Sequence, residues 1–348
     1  ITERRIKNKF MNNFSEKIIS WYEINGRKNL PWQKKDPYKV WISEIMLQQT
    51  QVTTVIPYFN KFISEYPTIK TLASTSLDEV LSLWSGLGYY TRARNIHKTA
   101  KILKKDFDCK LPNEVEALMS LPGIGFSTAG AILSLGFEQS GVILDGNVKR
   151  VLLRISGNKS PMNKYKTEKS LKEFANILLP DSKHKEYSQG LMDLGAIICR
   201  PNNPNCSECP VDEDCAANQK EIQDEIPIKI TKKEKIEKKI DWILIKTKNK
   251  VLLKRNKEKG IWQNLWVLPE KDFFSSKKIS KILPVEEDFS SFEHHLSHKK
   301  LLISVKVLTI KNKDRLSIDR RIFNWVNISD SVNMGIPKPV KDILKKYD

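Results

Sequence analysis

Apolar positions recur at three- and four-residue spacing through most of residues 9–220, the period of helices with one buried face. Asp36-Pro37 predicts a helix start, an N-cap followed by Pro at the first helical position, and YKVWISEIMLQQ continues it. Further helices are predicted near 51–64, 76–84, 92–105, 114–120, 127–137, 147–156, 167–178 and 185–198, separated by the turn signals YP, SGLG, LPGIG and LPD. No alternating pattern interrupts them, so this part reads as all-α. From about Lys220 the pattern changes. EIQDEIPIKITKKEKIEKK is charged and low in aromatics, which predicts a linker over 221–235. DWILIKTKNKVLLKR then gives two strand-like runs joined by a Lys/Asn turn, LLISVKVLTI and RIFNWVNI give two more, and PKPVKDILKKYD closes with a helix. The chain therefore reads as an all-α domain over 1–220 and a smaller α+β domain over 236–348. Neither a tandem repeat nor a long low-complexity tract is present.

Composition narrows this picture. With 40% apolar and 29% charged residues the 348-residue chain is globular rather than disordered. It has no uninterrupted apolar run long enough for a membrane span, and ITERRIKNKF lacks the apolar core of a secretion signal. A formal charge of +19 favours a polyanionic partner, nucleic acid first and an anionic membrane surface second.

Of the five cysteines, Cys109 stands alone in FDCKLP and reads as a small, half-buried side chain. Cys199, Cys206, Cys209 and Cys215 crowd into 17 residues with spacings x6, x2 and x5. So many thiols in one loop of a chain without a secretion signal argue against disulfides. Four thiolates suit a soft metal centre, and zinc or an iron–sulfur cluster fits equally well on spacing alone.

Three further segments carry chemistry. LPGIGFSTAGAI over 121–132 is a hairpin between helices in which Gly123 and Gly125 permit tight backbone and close approach of a phosphate. Taken alone, it is equally an ordinary helical corner. In ILDGNVKRVLLRI, Asp145 is an N-cap, a place where a carboxylate is expected to stay ionised beside a developing cation. In WISEIMLQQTQV, Glu44 shares a helix face with Val40, Trp41, Leu47 and Gln48. Partial desolvation there raises a carboxyl towards the range of a general acid. One neutral and one charged carboxylate form the pair that cleaves glycosidic bonds through an oxocarbenium-like state.

Together, LPGIG, LDGNVKR and Cys-x6-Cys-x2-Cys-x5-Cys resemble the helix-hairpin-helix DNA glycosylases that carry a [4Fe–4S] cluster. Within them, SEIMLQQTQV, WSGLGYYTRARNIHKTA and LDGNVKRVL resemble the adenine DNA glycosylase (MutY) family over essentially the whole chain. The resemblance implies a six-helix barrel at about 31–138, a cluster subdomain from 1–30 and 139–220, and a Nudix-like α+β domain at 236–348 that recognises 8-oxoguanine. It assigns the acid to Glu44, oxocarbenium stabilisation to Asp145, and orientation of the site to Asn147. Trp32 and Gln189 would line the adenine pocket. Gln49 would wedge into the duplex, and Tyr89 and Tyr90 would face DNA, although one of the pair is also a candidate for core packing. Gly123, Ile124 and Gly125 would hold the phosphate backbone, and Cys199, Cys206, Cys209 and Cys215 would ligate the cluster.

Position 127 bears on reaction type. The related endonuclease III family has Lys there as a Schiff-base nucleophile. Here it is Ser127, and no Lys occurs between Lys110 and Lys149, so the resemblance implies base removal without strand cleavage. GIWQNLWVLPE over 260–270 resembles the family's Nudix-like segment, but the Glu-rich catalytic Nudix helix is absent after Pro269. HHLSHKKLLISVKV resembles its Phe-Ser-His loop, with Ser297 and His298 matching and Leu296 in place of Phe. His294, His295 and His298 also form a weaker candidate metal set. Gln33 stands where relatives often carry Arg, and Phe126 where they often carry Arg or Pro.

The implied function is a monofunctional DNA glycosylase removing flipped-out adenine opposite 8-oxoguanine or guanine in duplex DNA. The protein is expected to be monomeric and to act in the cytoplasm at the nucleoid of a bacterium, or in a eukaryotic nucleus or organelle. Two alternatives compete: a thymine-mismatch glycosylase of the same fold, and a DNA-binding relative without catalysis.

Overall fold

The protein is described by a computed structural model over residues 2–228, 234–271, 285–310, 318–331 and 333–347. Residues 229–233 of the predicted linker lie outside the described residues. By internal contacts the chain divides into two units, Ile1–Ser74 with Asn95–Thr231, and Thr75–Arg94 with Lys232–Asp348.

The helices are α1 (Thr2–Asn25), α2 (Pro37–Leu47), α3 (Val52–Glu65), α4 (Ile69–Ser74), α5 (Leu77–Leu83), α6 (Thr91–Asp106), α7 (Val115–Met119), α8 (Phe126–Ala131), α9 (Gly146–Ile155), α10 (Tyr165–Ile177), α11 (His184–Ile197) and α12 (Ala216–Gln219). A π-helical turn, Ile132–Gly136, extends α8. No strand occurs among the described residues up to 228. No helix among the described residues is long and apolar enough to cross a membrane.

The local rules that predict these helices operate in the structure. Asp36 caps α2, accepting the backbone N–H groups of Tyr38 and Lys39 at 3.0 and 3.3 Å, with Pro37 following. Ser76 and Glu79 form a reciprocal capping box at the start of α5. The small residues after the hairpin let backbones touch: a Cβ on Gly130 would lie 1.9 Å from the Val142 carbonyl oxygen. That contact lays α8 against the segment leading to Asp145.

In the second unit, β1 (Ile236–Lys246), β2 (Lys250–Arg255), β3 (Trp266–Val267), β4 (Val285–His295), β5 (Lys299–Thr309) and β6 (Phe323–Asn327) form one sheet. Its order is β3-β2-β1-β5-β4, with β6 also pairing β2. β1 and β5 run parallel, from Ile236 opposite Lys299 to Lys246 opposite Thr309, and the other pairs are antiparallel. Alternation along β1 buries both faces. Trp242 and Leu244 join a core with Val305, Val307 and residues of α14 (Lys338–Leu344), which follows the short α13 (Ile328–Ser331). Ile243 and Ile245 pack on the other face with Leu252, Leu308 and Ile310.

Two features differ from the sequence pattern. β4 carries the polar run VEEDFSSFEHH, which has no alternating signal. It becomes a strand by pairing with β5 at the edge of the sheet, where polar side chains are tolerated. Thr75–Arg94, which the family resemblance would put within a six-helix barrel at about 31–138, groups by contact with the C-terminal residues. Ser85 Oγ and Tyr90 Oη both donate to the Ile336 carbonyl, at 3.0 and 3.2 Å, and Arg94 Nη1 donates to that of Gln263 at 2.9 Å. Hydrogen bonds between residues so distant in sequence leave no local trace.

Candidate active site

Glu44 lies in the middle of α2 with Trp41, Ser43 and Ile45 buried around it. Its carboxyl makes no hydrogen bond or ion pair among the described residues. Burial, and secondarily the charge of Asp145, push it up to about 8. Asp145 is close enough for its charge to act on Glu44, although 101 positions of chain separate them. Gln48 Nε2 donates to Thr128 Oγ1 at 3.5 Å, joining the end of α2 to α8. Gln49 follows, exposed, with a left-handed backbone at φ 58°.

The hairpin before α8 is built as its glycines suggest. Gly123 has φ +83°, and a Cβ there would lie 2.8 Å from that of Asn95, so both conformation and space demand glycine. Thr99 Oγ1 donates to the Pro122 carbonyl at 2.9 Å, and Ile124 is buried beneath the turn. Gly125 is exposed and has open space where its Cβ would be. Ser127 Oγ accepts the Leu144 backbone N–H at 3.0 Å, so the side chain at this position fastens α8 to the residue before Asp145.

Asp145 caps α9 and accepts the Val148 N–H at 2.7 Å, with Asn147 Nδ2 at 3.4 Å. Two opposing influences act on this carboxyl. Burial raises it above the usual range, and the hydrogen bonds from Val148 and Asn147, with the charge of Arg150, oppose that rise. The two carboxyls thus differ in fastening: Asp145 is tied by donors, whereas Glu44 has none.

Several contributors escaped the sequence reading. Arg150 Nη2 donates to Asn147 Oδ1 at 3.0 Å and to the Gly195 carbonyl at 2.7 Å, and its Nε donates to the Cys199 carbonyl at 2.8 Å. Asp193 is wholly buried and takes Arg27 Nε and Nη2 on one oxygen, at 2.9 and 2.6 Å. That oxygen also accepts Gln189 Nε2 at 2.9 Å. The available signal was a lone acid in the apolar stretch LMDLGAII, since a buried charge requires a partner. Trp32 is buried edge-on against Phe59, ring centroids 5.3 Å apart. Neighbouring Gln33 spends its amide inside its own loop, donating to the Arg27 carbonyl and accepting the Leu30 N–H.

Cys199, Cys206, Cys209 and Cys215 all line one cavity, together with Val151 and Arg154. Burial raises the Cys206 and Cys215 thiols and pushes Cys209 up to about 12, with neighbouring thiols adding to each rise. Arg154 Nη1 lies 3.3 Å from Cys199 Sγ and also donates to the Arg200 carbonyl at 2.7 Å, so a cation borders the donor set. Among the described residues no three His, Cys, Asp or Glu side chains converge as a single metal ion would require. The four thiols line one space, a soft donor set that could hold a metal centre. The weaker histidine set, His294, His295 and His298, likewise forms no convergent group.

In the second unit, Tyr89, Tyr90, Ser297 and His298 line one open cavity of about 470 Å3. Tyr89 is 43% exposed, left-handed at φ 49°, with Arg92 over its ring, while Tyr90 is only 9% exposed and hydrogen-bonded through its hydroxyl. One tyrosine therefore faces the cavity openly and the other packs. Ser297 and His298 form the exposed tip of the β4–β5 hairpin, with Ser297 Oγ 3.2 Å from His298 Nδ1. Leu296 turns its side chain onto the sheet core.

Comparisons agree with this architecture. Residues 42–176 match the HhH-GPD superfamily of base excision DNA repair proteins, and residues 241–346 match the NUDIX domain. The chain is 43% identical over 342 residues to the adenine DNA glycosylase of Buchnera aphidicola subsp. Schizaphis graminum, covering 96% of this chain and 98% of that protein. Identity to the same enzyme of Buchnera aphidicola subsp. Baizongia pistaciae is 45% over 347 residues, covering 96% of each. The human adenine DNA glycosylase is 38% identical over 223 residues, 61% of this chain and 41% of that one. Among solved structures, a thermostable thymine-DNA glycosylase superposes with a TM-score of 0.56 at 30% identity, covering 61% of this chain and 98% of that one. An endonuclease III–DNA complex does so at 0.52 and 20% identity, covering 62% and 98%, which speaks to fold alone. Paired carboxylates behind a glycine hairpin, four thiols around one space and near full-length identity of 43–45% lead to one assignment: the chain belongs to the adenine DNA glycosylase family.

Proposed function

We propose that this chain hydrolyses the N-glycosidic bond of adenine mispaired with 8-oxoguanine or guanine in duplex DNA, acting as a monofunctional glycosylase. The observation that carries the reading is the unequal fastening of its two carboxyls, with donors on Asp145 and none on Glu44 among the described residues. Glu44, raised to about 8 and free of hydrogen bonds, is protonated at neutral pH and able to give that proton to N7 of a flipped-out adenine. As the bond to the base breaks, positive charge grows on the sugar. Asp145, fixed by Val148 and Asn147, supplies the opposing negative charge, and Glu44 then accepts a proton from the attacking water. Position 127 holds no amine, and its hydroxyl is engaged by Leu144 N–H, which favours hydrolysis without lyase chemistry.

Trp32 and Gln189 form the adenine pocket in this reading, Gln49 enters the duplex, and Gly123, Ile124 and Gly125 bind phosphate. The four cysteines hold a [4Fe–4S] cluster, which ties the loop after α11 to the body and supplies no step at the sugar. Tyr89, Tyr90, Ser297 and His298 meet the base opposite adenine. A monomer acting at the bacterial nucleoid, or in a eukaryotic nucleus or organelle, belongs to the same reading.

The test is single-turnover incubation with duplexes holding adenine opposite 8-oxoguanine or guanine, or thymine opposite guanine, resolved with and without hot alkali. Cleavage of the adenine strand only after alkali is expected. Nicking without alkali overturns monofunctional action, reaction of the thymine strand alone overturns the substrate, and binding without cleavage overturns catalysis.

A further inference from the structure

Gln189 and Asp193 lie one turn apart on α11, and Gln189 Nε2 donates to Asp193 Oδ1 at 2.9 Å. A carboxylate only accepts, so the glutamine must present its NH2 group to Asp193 and its oxygen elsewhere. The orientation of a glutamine amide is seldom this constrained. Asp193 cannot turn away either. It is fully buried, its Oδ2 accepts the Arg27 backbone N–H at 2.7 Å, and its Oδ1 accepts both Nε and Nη2 of the same arginine. The Arg27 carbonyl accepts Gln33 Nε2, which folds the loop carrying Trp32. One buried carboxylate therefore sets an amide on α11 and the entry to the Trp32 loop together. Gln189 Oε1 accepts no hydrogen bond among the described residues, the amide being engaged through Nε2 alone. It is a fixed acceptor, on a residue that is 5% exposed.

We propose that Asp193 is a positioning residue for base selection: it holds Gln189 Oε1 as an acceptor for an exocyclic amino group, so that the pocket takes a 6-aminopurine and refuses a 6-oxopurine. This rests on the reading of Gln189 and Trp32 as walls of the base pocket. A 6-oxopurine sets its own carbonyl oxygen against Oε1, leaving two acceptors facing each other without a proton between them. Were the amide free, it would turn and satisfy either base.

The experiment compares single-turnover excision of adenine, hypoxanthine and unsubstituted purine opposite the same base, in the wild type and in Asp193→Asn and Gln189→Leu. Ratios within one protein cancel any loss of folded enzyme. The wild type is expected to rank adenine over purine over hypoxanthine. In Asp193→Asn, whose side chain accepts or donates, the adenine-to-hypoxanthine ratio is expected to fall at least about tenfold. An unchanged ratio there, with collapse in Gln189→Leu, overturns the role of Asp193. Wild-type preference for hypoxanthine over purine also overturns it, and needs no variant to fold. An unchanged ratio in Gln189→Leu removes Gln189 from the base and overturns the pocket reading beneath the proposal. Failure of the wild type to release adenine at all instead overturns the proposed function.

Discussion

The Arg150 guanidinium donates to the side-chain oxygen of Asn147 at 3.0 Å. The same group donates to the carbonyls of Gly195 and Cys199, so Asn147, two residues beyond the Asp145 cap, is tied to the first cysteine of the four-cysteine loop. Replacing Arg150 by Met is expected to lower single-turnover adenine release by about 10- to 100-fold, as loss of a supporting contact typically does. Duplex affinity is expected to change much less. An unchanged rate would show that Asn147 holds its position without the arginine.

Glu44→Gln is expected to bind duplex but lose adenine release by at least about 10^3-fold, since it removes the transferable proton. Retained turnover would contradict the assigned role. The same substitution is expected to stabilise the fold. Because the folded carboxyl sits at about 8, above its ordinary 4.5, the folded protein binds the proton more tightly than the unfolded chain does. The stability from this group is complete below about pH 4.5 and is lost as pH rises through about 8. Every pH unit separating the folded from the unfolded titration corresponds to about 1.4 kcal/mol, so at about pH 8–9 the Gln variant should melt higher than the wild type. Thermal melts at pH 5 and pH 9 check this, with a difference expected only at the higher pH.

Catalysis should follow the same proton. Wild-type single-turnover excision is expected to fall on the alkaline side, with a midpoint near 8, because the acid form of Glu44 is the active one. A rate that holds steady to pH 9.5 would place the acid elsewhere.

Gly130→Ala tests the seam behind the site. The added carbon would sit 1.9 Å from the Val142 carbonyl oxygen, where only backbone can give way. A loss of about 1–3 kcal/mol is expected by analogy with overpacked cores, together with slower excision because the displaced segment leads to Asp145. Denaturant melts and single-turnover rates report the two effects separately.

The neighbouring tyrosines should respond differently to substitution. Tyr89, 43% exposed, is expected to lower duplex affinity when changed to Ala while leaving the melting temperature nearly unchanged. Tyr90, buried and bonded to the Ile336 carbonyl, is expected to cost about 1 kcal/mol of stability as Phe through loss of that hydrogen bond. Binding titrations and melts on both variants separate the roles.

What the sequence by itself determined is what depends on near neighbours. Asp36-Pro37 starts a helix because an aspartate oxygen reaches the next N–H groups, and Gly123 marks a tight turn because only glycine takes φ +83° there without strain. The Cys-x6-Cys-x2-Cys-x5-Cys run brings four thiols to one cavity for the same reason, since all four belong to one short segment. Tertiary structure decided the rest. Whether Glu44 titrates near 8 depends on burial and on Asp145, a hundred positions away, and no spacing rule reports that. Asp193 looked like one acid on a helix until folding set Arg27 against it, and β4 became a strand only because β5 offered it an edge. Caps and turns are settled within a few bonds of chain. Desolvation, buried ion pairs and edge pairing exist only once distant segments have met.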